Sequence, residues 1–333
     1  MAFNKLLGND TSKEILLNTL KDSRLSHSYI FSGPSGVGKK LFAIEFAKLI
    51  NCNIDLNKRQ EDCSCNSCSK IEKMIHPDVT LLEYEGEKTI KIDQVRSDLE
   101  EKVFLSPFES QYKIFIVDNA ERMNLNSQNA FLKTLEEPPV NSVIILVTQS
   151  INFIIPTIKS RCQIINFSHI KNDTLKSILL QTASIDKQNI DTAVKLSRGS
   201  IGKALNLDKE QIDFRVSVTK KLISIRPDKP TEIFSLYDML GLDSKDKNPE
   251  HLKNVFTIIS DWLRDLILIK IKFDSNSIIN DSMYSELLEY VSGKTLVSLL
   301  KKPGQLESSW HGITILNANR KLAFEDLMIK LSA

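Results

Sequence analysis

Gly33-Pro34-Ser35-Gly36-Val37-Gly38-Lys39-Lys40 has the spacing of a phosphate-binding loop up to its last residue. In G-x-x-x-x-G-K-[ST], backbone amides cradle phosphates, the lysine reaches the terminal phosphates and the hydroxyl ligates magnesium. Lys40 stands at the hydroxyl position. It cannot ligate the cation, although its charge favours an anion nearby. Gly33, Gly36, Gly38, Lys39 and Lys40 are therefore candidate nucleotide contacts, with ATP or ADP as the ligand class and magnesium ligation in question.

A second candidate follows Ile114-Phe115-Ile116-Val117. Four apolar residues and then an acid, Asp118, match the pattern in which the acid holds magnesium. The next residue, Asn119, stands where many ATPases carry a water-polarising Glu, and an amide is no general base. Asp118 is thus either part of a degenerate magnesium site or a strand-end carboxylate bonded to loop backbone. The missing hydroxyl and the missing Glu favour the second.

Cys52, Cys63, Cys65 and Cys68 form the third group. Four thiolates at close spacing suit a tetrahedral structural zinc with no open position. Cys65-x-x-Cys68 is the usual chelating pair, and Cys63-x-Cys65 is one residue tighter. Unmetallated thiols are the alternative. The insert around the cysteines has few apolar residues, so an ion would hold its shape. The last candidate is Arg161 in Ser160-Arg161-Cys162: a solvated loop cation, or a finger that stabilises transition-state charge on a neighbour's nucleotide.

These residues need a frame. Short apolar runs at 29–31, 79–82, 114–117, 143–147 and 164–167 alternate with helical patterns at 41–50, 92–105 and 126–136. This is the signature of a parallel α/β sheet flanked by helices. Pro138-Pro139 ends the last of these helices. After residue 168 helical periodicity takes over, with helices expected at 172–182, 191–198 and from the glycine-broken turn at 199–205. A third, all-helical segment runs from about 209, with a polar loop over 241–253 and strongly apolar helices at 258–271 and 316–331.

The 333 residues suit two or three domains. Hydrophobic residues make up 41% and charged ones 26%, the balance of a globular chain. The net charge of +2, from 44 basic and 42 acidic residues, gives no overall nucleic-acid or membrane footprint. This argues against a stand-alone DNA-binding module, and any DNA contact is local or shared with partners. No stretch reaches the roughly 18 apolar residues of a membrane helix, and the N-terminus lacks a signal-peptide core, so a cytoplasmic location is expected.

The order GPSGVGKK, four clustered cysteines, HPDV, KIFIVDNAERMN, QNAFLKTLEEPP, IPTIKSRCQ and RGSIGKALNL resembles the clamp-loader subunits of bacterial DNA polymerase III, and within them the delta-prime type. The resemblance covers residues 3 to 207. Beyond it, Trp262-Leu263-Arg264-Asp265 and 317–323 match more weakly. It implies an AAA+ RecA-like domain over 1–167 with a zinc module at about 52–68, a helical lid over 168–208 and a helical collar over 209–333. It further implies a heteropentamer with gamma/tau and delta subunits that loads a sliding clamp onto primed DNA, as part of a DNA-directed DNA polymerase. In that family the Arg of Ser-Arg-Cys reaches an adjacent nucleotide, which assigns the role to Arg161. The gamma/tau type hydrolyses ATP, and three departures separate this chain from it: Lys40, Asn119, and Gly202 where the lid carries an Arg. The expectation is a subunit with little or no ATPase of its own; an active gamma/tau-type ATPase, with Glu121 as base, is the alternative.

Overall fold

Tyr29 and Phe31 point to one side of their strand and Ile30 to the other, and this alternation organises the first part of the molecule. The structure is a computed structural model describing Phe3 and residues 6–54, 63–83, 90, 103, 105–182, 190–225, 230–242, 249–274 and 277–332. The chain divides into two compact units, residues 1–183 with 197–206, and residues 184–196 with 207–333.

The first unit is built on strands β1 (Ser28–Ser32), β2 (Val79–Leu82), β3 (Lys113–Val117), β4 (Ser142–Thr148) and β5 (Gln163–Asn166). All pair in parallel, in the order β2-β3-β4-β1-β5. The three central strands are buried throughout, so they read as continuous apolar runs rather than alternating ones. Tyr29, Phe31, Ile114, Ile116, Val143 and Ile145 join a core with Leu16 of α1 (Asp10–Lys21) and Phe42, Ala43 and Phe46 of α2 (Lys39–Ile50). Ile30, Phe115, Val117, Ile144 and Leu146 join the opposite core. There they meet Phe131 and Leu135 of α4 (Leu125–Glu136) and Ile158 of α5 (Pro156–Lys159). Helix α3 (Asn66–Glu72) lies between β1 and β2 in sequence. The helix expected over 92–105 falls almost wholly outside the described residues.

The helices expected after residue 168 are α6 (Asn172–Thr182), α7 (Ile190–Ser197) and α8 (Ile201–Leu205). Of these, α6 and α8 fall in the first unit and α7 in the second up to Leu196. The second unit is helical, with α9 (Lys209–Ser224), α10 (Pro230–Met239), α11 (Pro249–Lys270), α12 (Tyr284–Ser292), α13 (Leu296–Thr314) and α14 (Arg320–Ser332). Its core gathers Trp262, Leu266, Leu236, Tyr237, Phe324 and Leu327. The polar loop expected over 241–253 ends earlier, because α11 begins at Pro249, where the fixed φ of proline suits a first helical turn. Arg215 and Asp261 pair inside this unit at 2.5 Å, and Asp265 accepts from the backbone amides of Ile279 and Asn280.

Candidate metal centre and nucleotide site

The phosphate loop follows β1, and Asp118 and Gln149 follow β3 and β4 at the same carboxyl edge of the parallel sheet, whereas Arg161 comes before β5 at the opposite, amino edge, where its carbonyl accepts from Ser28 Oγ at 2.8 Å. In a parallel sheet the carboxyl edge is where ligands bind. Residues of β1's loop (Ser35, Gly36, Gly38, Lys39, Lys40), of the β3 end (Asp118, Asn119, Glu121) and of the β4 end (Thr148, Gln149) line one cavity of about 190 Å³. Small-molecule sites start near 300 Å³. The cavity has room for at least a phosphate-sized group.

Each basic group of the loop already has partners. Lys39 Nζ donates to the carbonyls of Gly33 at 2.6 Å and Pro34 at 2.7 Å. Burial lowers its pKa, against the opposing pull of the Glu121 and Asp118 carboxylates. Lys40 Nζ forms an ion pair with Glu83, a residue not singled out in the sequence. Its position follows from register: Leu82 pairs with Val117, so Glu83 and Asp118 come next on adjacent strands. Burial pushes the Asp118 carboxyl up, aided by Glu83 and Glu121 and opposed by the Asn119 amide and Lys40. Asp118 accepts from the backbone amide of Asn119 at 2.9 Å, as a strand-end carboxylate does. Glu121 accepts from the amide of Gln149 at 3.2 Å.

The crest of the loop touches α8. The amide of Gly202 donates to the Gly36 carbonyl at 2.9 Å. Gly36 has φ of 75°, in the left-handed region open to glycine, and a Cβ on it would lie 2.1 Å from Ser200 Oγ. A Cβ on Gly202 would lie 3.3 Å from Gly36 Cα. Gly202 is thus small because the loop backbone lies against it, and an arginine there would have to displace the loop.

The four cysteine sulfurs lie within 4.8 Å of one another. Cys52 Sγ is 3.6 Å from Cys63 Sγ and 4.0 Å from Cys65 Sγ. A tetrahedron of thiolates about 2.3 Å from zinc has edges of about 3.8 Å, and both Cys52 separations are close to that length. Cys65 precedes α3 and Cys68 lies within it. Burial raises the Cys65 pKa, but donors from the Cys68 and Asn53 amides and the Cys68 and Cys63 thiols outweigh it and bring it down to about 6. A thiol that ionises so readily is a ready metal ligand. The donor set fits a closed structural zinc site; among the described residues it is the cluster with metal-ligand geometry.

Arg161 is not among the residues lining the loop cavity. It follows α5, where its Nη1 donates to the Thr157 carbonyl at 2.9 Å and its Nη2 to Glu136 Oε1 at 2.8 Å. Glu136, the first acid of the LEEPP run, is a partner that sequence spacing did not reveal. The loop before α5 is fixed to α4 by Gln128, which donates to the carbonyls of Met123 and Phe153 and accepts from the amide of Ile155.

The family model described as DNA polymerase III, delta subunit, matches residues 8–171. The chain is 30% identical over 277 residues to DNA polymerase III subunit gamma of Buchnera aphidicola subsp. Acyrthosiphon pisum, which covers 80% of this chain and 74% of that one. It is 30% identical over 224 residues to subunit tau of Bacillus subtilis, covering 66% of this chain and 39% of the relative. Subunit delta' of the same organism is 34% identical over 169 residues, 50% of each chain. The chain thus spans well under half the length of the tau relative and about three quarters of the gamma relative. Identity of that extent, laid over a parallel sheet with the phosphate loop after β1, means that the chain belongs to the clamp-loader subunit family of DNA polymerase III.

Proposed function

We propose that the chain is a delta-prime-type subunit that helps load a sliding clamp onto primed DNA without hydrolysing ATP itself. The carrying observation is the Lys40–Glu83 ion pair, which puts a tethered ammonium beside Asp118, where a working loop would bring its magnesium. An ammonium neutralises carboxylates but offers no coordination to a phosphate, so the bridging role of the metal is lost. Asn119 and Gly202 support the same reading, since the first removes a general base and the second a lid arginine. ATP or ADP binding by the loop would then be weak and indifferent to magnesium.

In this reading Arg161 acts in trans, on the ATP of a gamma/tau-type neighbour. A planar guanidinium suits phosphate oxygens because it donates in a fixed fork. Residues 168–208 serve as lid and 209–333 as collar, the latter docking gamma/tau and delta partners in a pentamer in the cytoplasm. Among the described residues no helix is long and apolar enough to cross a membrane. The four cysteines hold a zinc that ties Cys52 to Cys63, Cys65 and α3 and takes no part in chemistry.

The test is a reconstituted loader carrying Arg161→Ala. Assembly should persist, because a pair as exposed as Arg161–Glu136 contributes only about 0.2–1 kcal/mol. The partner's ATP turnover should fall about a thousandfold. Unchanged turnover in an assembled complex refutes the finger. The rival, an active gamma/tau-type ATPase, gains weight from the relatives with those names. It predicts magnesium-dependent turnover by the isolated chain that Lys39→Ala abolishes, whereas the delta-prime reading predicts none to abolish.

A further inference from the structure

His76 and Asp78, from the HPDV run, are buried and take no part in the sites above; their exposures are 4% and 1%. Asp78 accepts three backbone amides from a single loop: Phe108 at 2.6 Å, Glu109 at 2.8 Å and Ser110 at 2.9 Å. Burial pushes its carboxyl up, but these three donors outweigh it and hold the group below the ordinary carboxylate value. The Asp78 amide donates to His76 Nδ1 at 3.0 Å. That bond fixes the tautomer of a neutral ring: Nδ1 is the acceptor, so Nε2 carries the proton. The single Nε2–H is shared between Ser110 Oγ at 3.0 Å and Ser67 Oγ at 3.2 Å, with Glu109 Oε1 at 3.4 Å beside them. It thus joins α3 to the same loop that Asp78 holds.

Ser67 sits between Cys65 and Cys68, two of the four cysteines, and on the helix that those cysteines anchor. A second, exposed link runs in parallel, with Lys70 of α3 on both carboxylate oxygens of Glu109 at 2.8 and 2.6 Å. The loop so held presents Phe108, which is 85% exposed. A buried network of this kind is worth more than an exposed ion pair, because leaving any member without its partner costs full desolvation.

We propose that His76 is a positioning residue that couples metal occupancy at Cys52, Cys63, Cys65 and Cys68 to the shape of the 105–110 loop. The metal fixes α3, α3 fixes Ser67, and Ser67 sets His76 between the helix and Ser110. Coupling is reciprocal, so where metal binding favours the ordered loop, ordering of the loop favours metal binding by the same factor. This coupling rests on the metal assignment and is independent of which clamp-loader subunit the chain is.

The experiment follows amide exchange at Phe108, Glu109 and Ser110 in the full chain, loaded with zinc and then stripped by a chelator. Zinc and cobalt affinities are measured alongside. Metal removal should raise exchange at these amides by roughly tenfold, while the amides of β3 stay protected. Ser67→Ala, which removes one hydroxyl and leaves both ends intact, should weaken metal binding about tenfold, as loss of an outer-shell partner does. It should also abolish most of the metal dependence of the loop. His76→Asn keeps an acceptor for the Asp78 amide but is too short to reach the two serines, and it should uncouple in the same way. Loop exchange that ignores the metal, or coupling that survives both variants, overturns the proposal. A folded chain that binds neither zinc nor cobalt overturns it together with the metal assignment, whereas zinc binding without coupling overturns the relay alone.

Discussion

Lys40 is the residue on which the reading of the phosphate loop turns. In a working loop, the group after the invariant lysine brings a divalent cation to the phosphates; here it brings a single charge on a four-carbon arm to Glu83. The local charge is balanced and coordination is lost. Replacing Lys40 with threonine restores the ligand and frees Glu83 and Asp118 from their ammonium. Calorimetric titration of ATP should therefore show wild-type affinity independent of magnesium, and Lys40→Thr affinity rising about tenfold when magnesium is added, close to 1.4 kcal/mol. Hydrolysis should stay absent in both, because Asn119 remains. A wild-type chain that binds ATP tightly only with magnesium would sink this account of the loop.

At the scale of elements, the contact between α8 and the loop can be tested by one methyl group. Gly202 lies inside α8 with no positive φ, so on helix propensity alone Gly202→Ala should stabilise by about 1 kcal/mol. Sterically, its Cβ would press on Gly36 Cα at 3.3 Å, and overpacking against backbone costs about 1–3 kcal/mol. The expected net effect in thermal unfolding is a small loss of stability; a gain near 1 kcal/mol would mean that α8 does not rest on the loop. The same contrast between local and long-range information explains what the sequence revealed. β1, β3 and β4 were legible because strands buried on both faces are unbroken apolar runs. The loop, Asp118 and the cysteines were legible because their chemistry is written in spacing. Glu83 and Glu136 were not, because their partners lie 43 and 25 residues away and no local period encodes such a pairing. Ser200 lies 164 positions along the chain from the glycine it covers, and only the fold shows why residue 202 is small.

Across the whole molecule, two units with separate cores carry the functions proposed here, and the placement of two aromatic residues lets their stabilities be read apart. Both tryptophans of the chain, Trp262 and Trp310, belong to the helical unit, where Trp262 is fully buried against Tyr290 and Trp310 packs on Phe256. The four cysteines, the phosphate loop and Arg161 all belong to the sheet unit, which has no tryptophan. Metal binding free energy at a structural site is folding free energy for the segment that it orders. Chelation should therefore lower the melting temperature of the sheet unit by several degrees, seen in circular dichroism or in exchange at β3. Tryptophan fluorescence should report the helical unit melting where it did before. Probes that separate in this way violate two-state behaviour, as expected when cores unfold independently. If chelation shifts the tryptophan transition by the same amount, the two cores unfold as one, and the metal then stabilises the helical unit as well as the sheet unit.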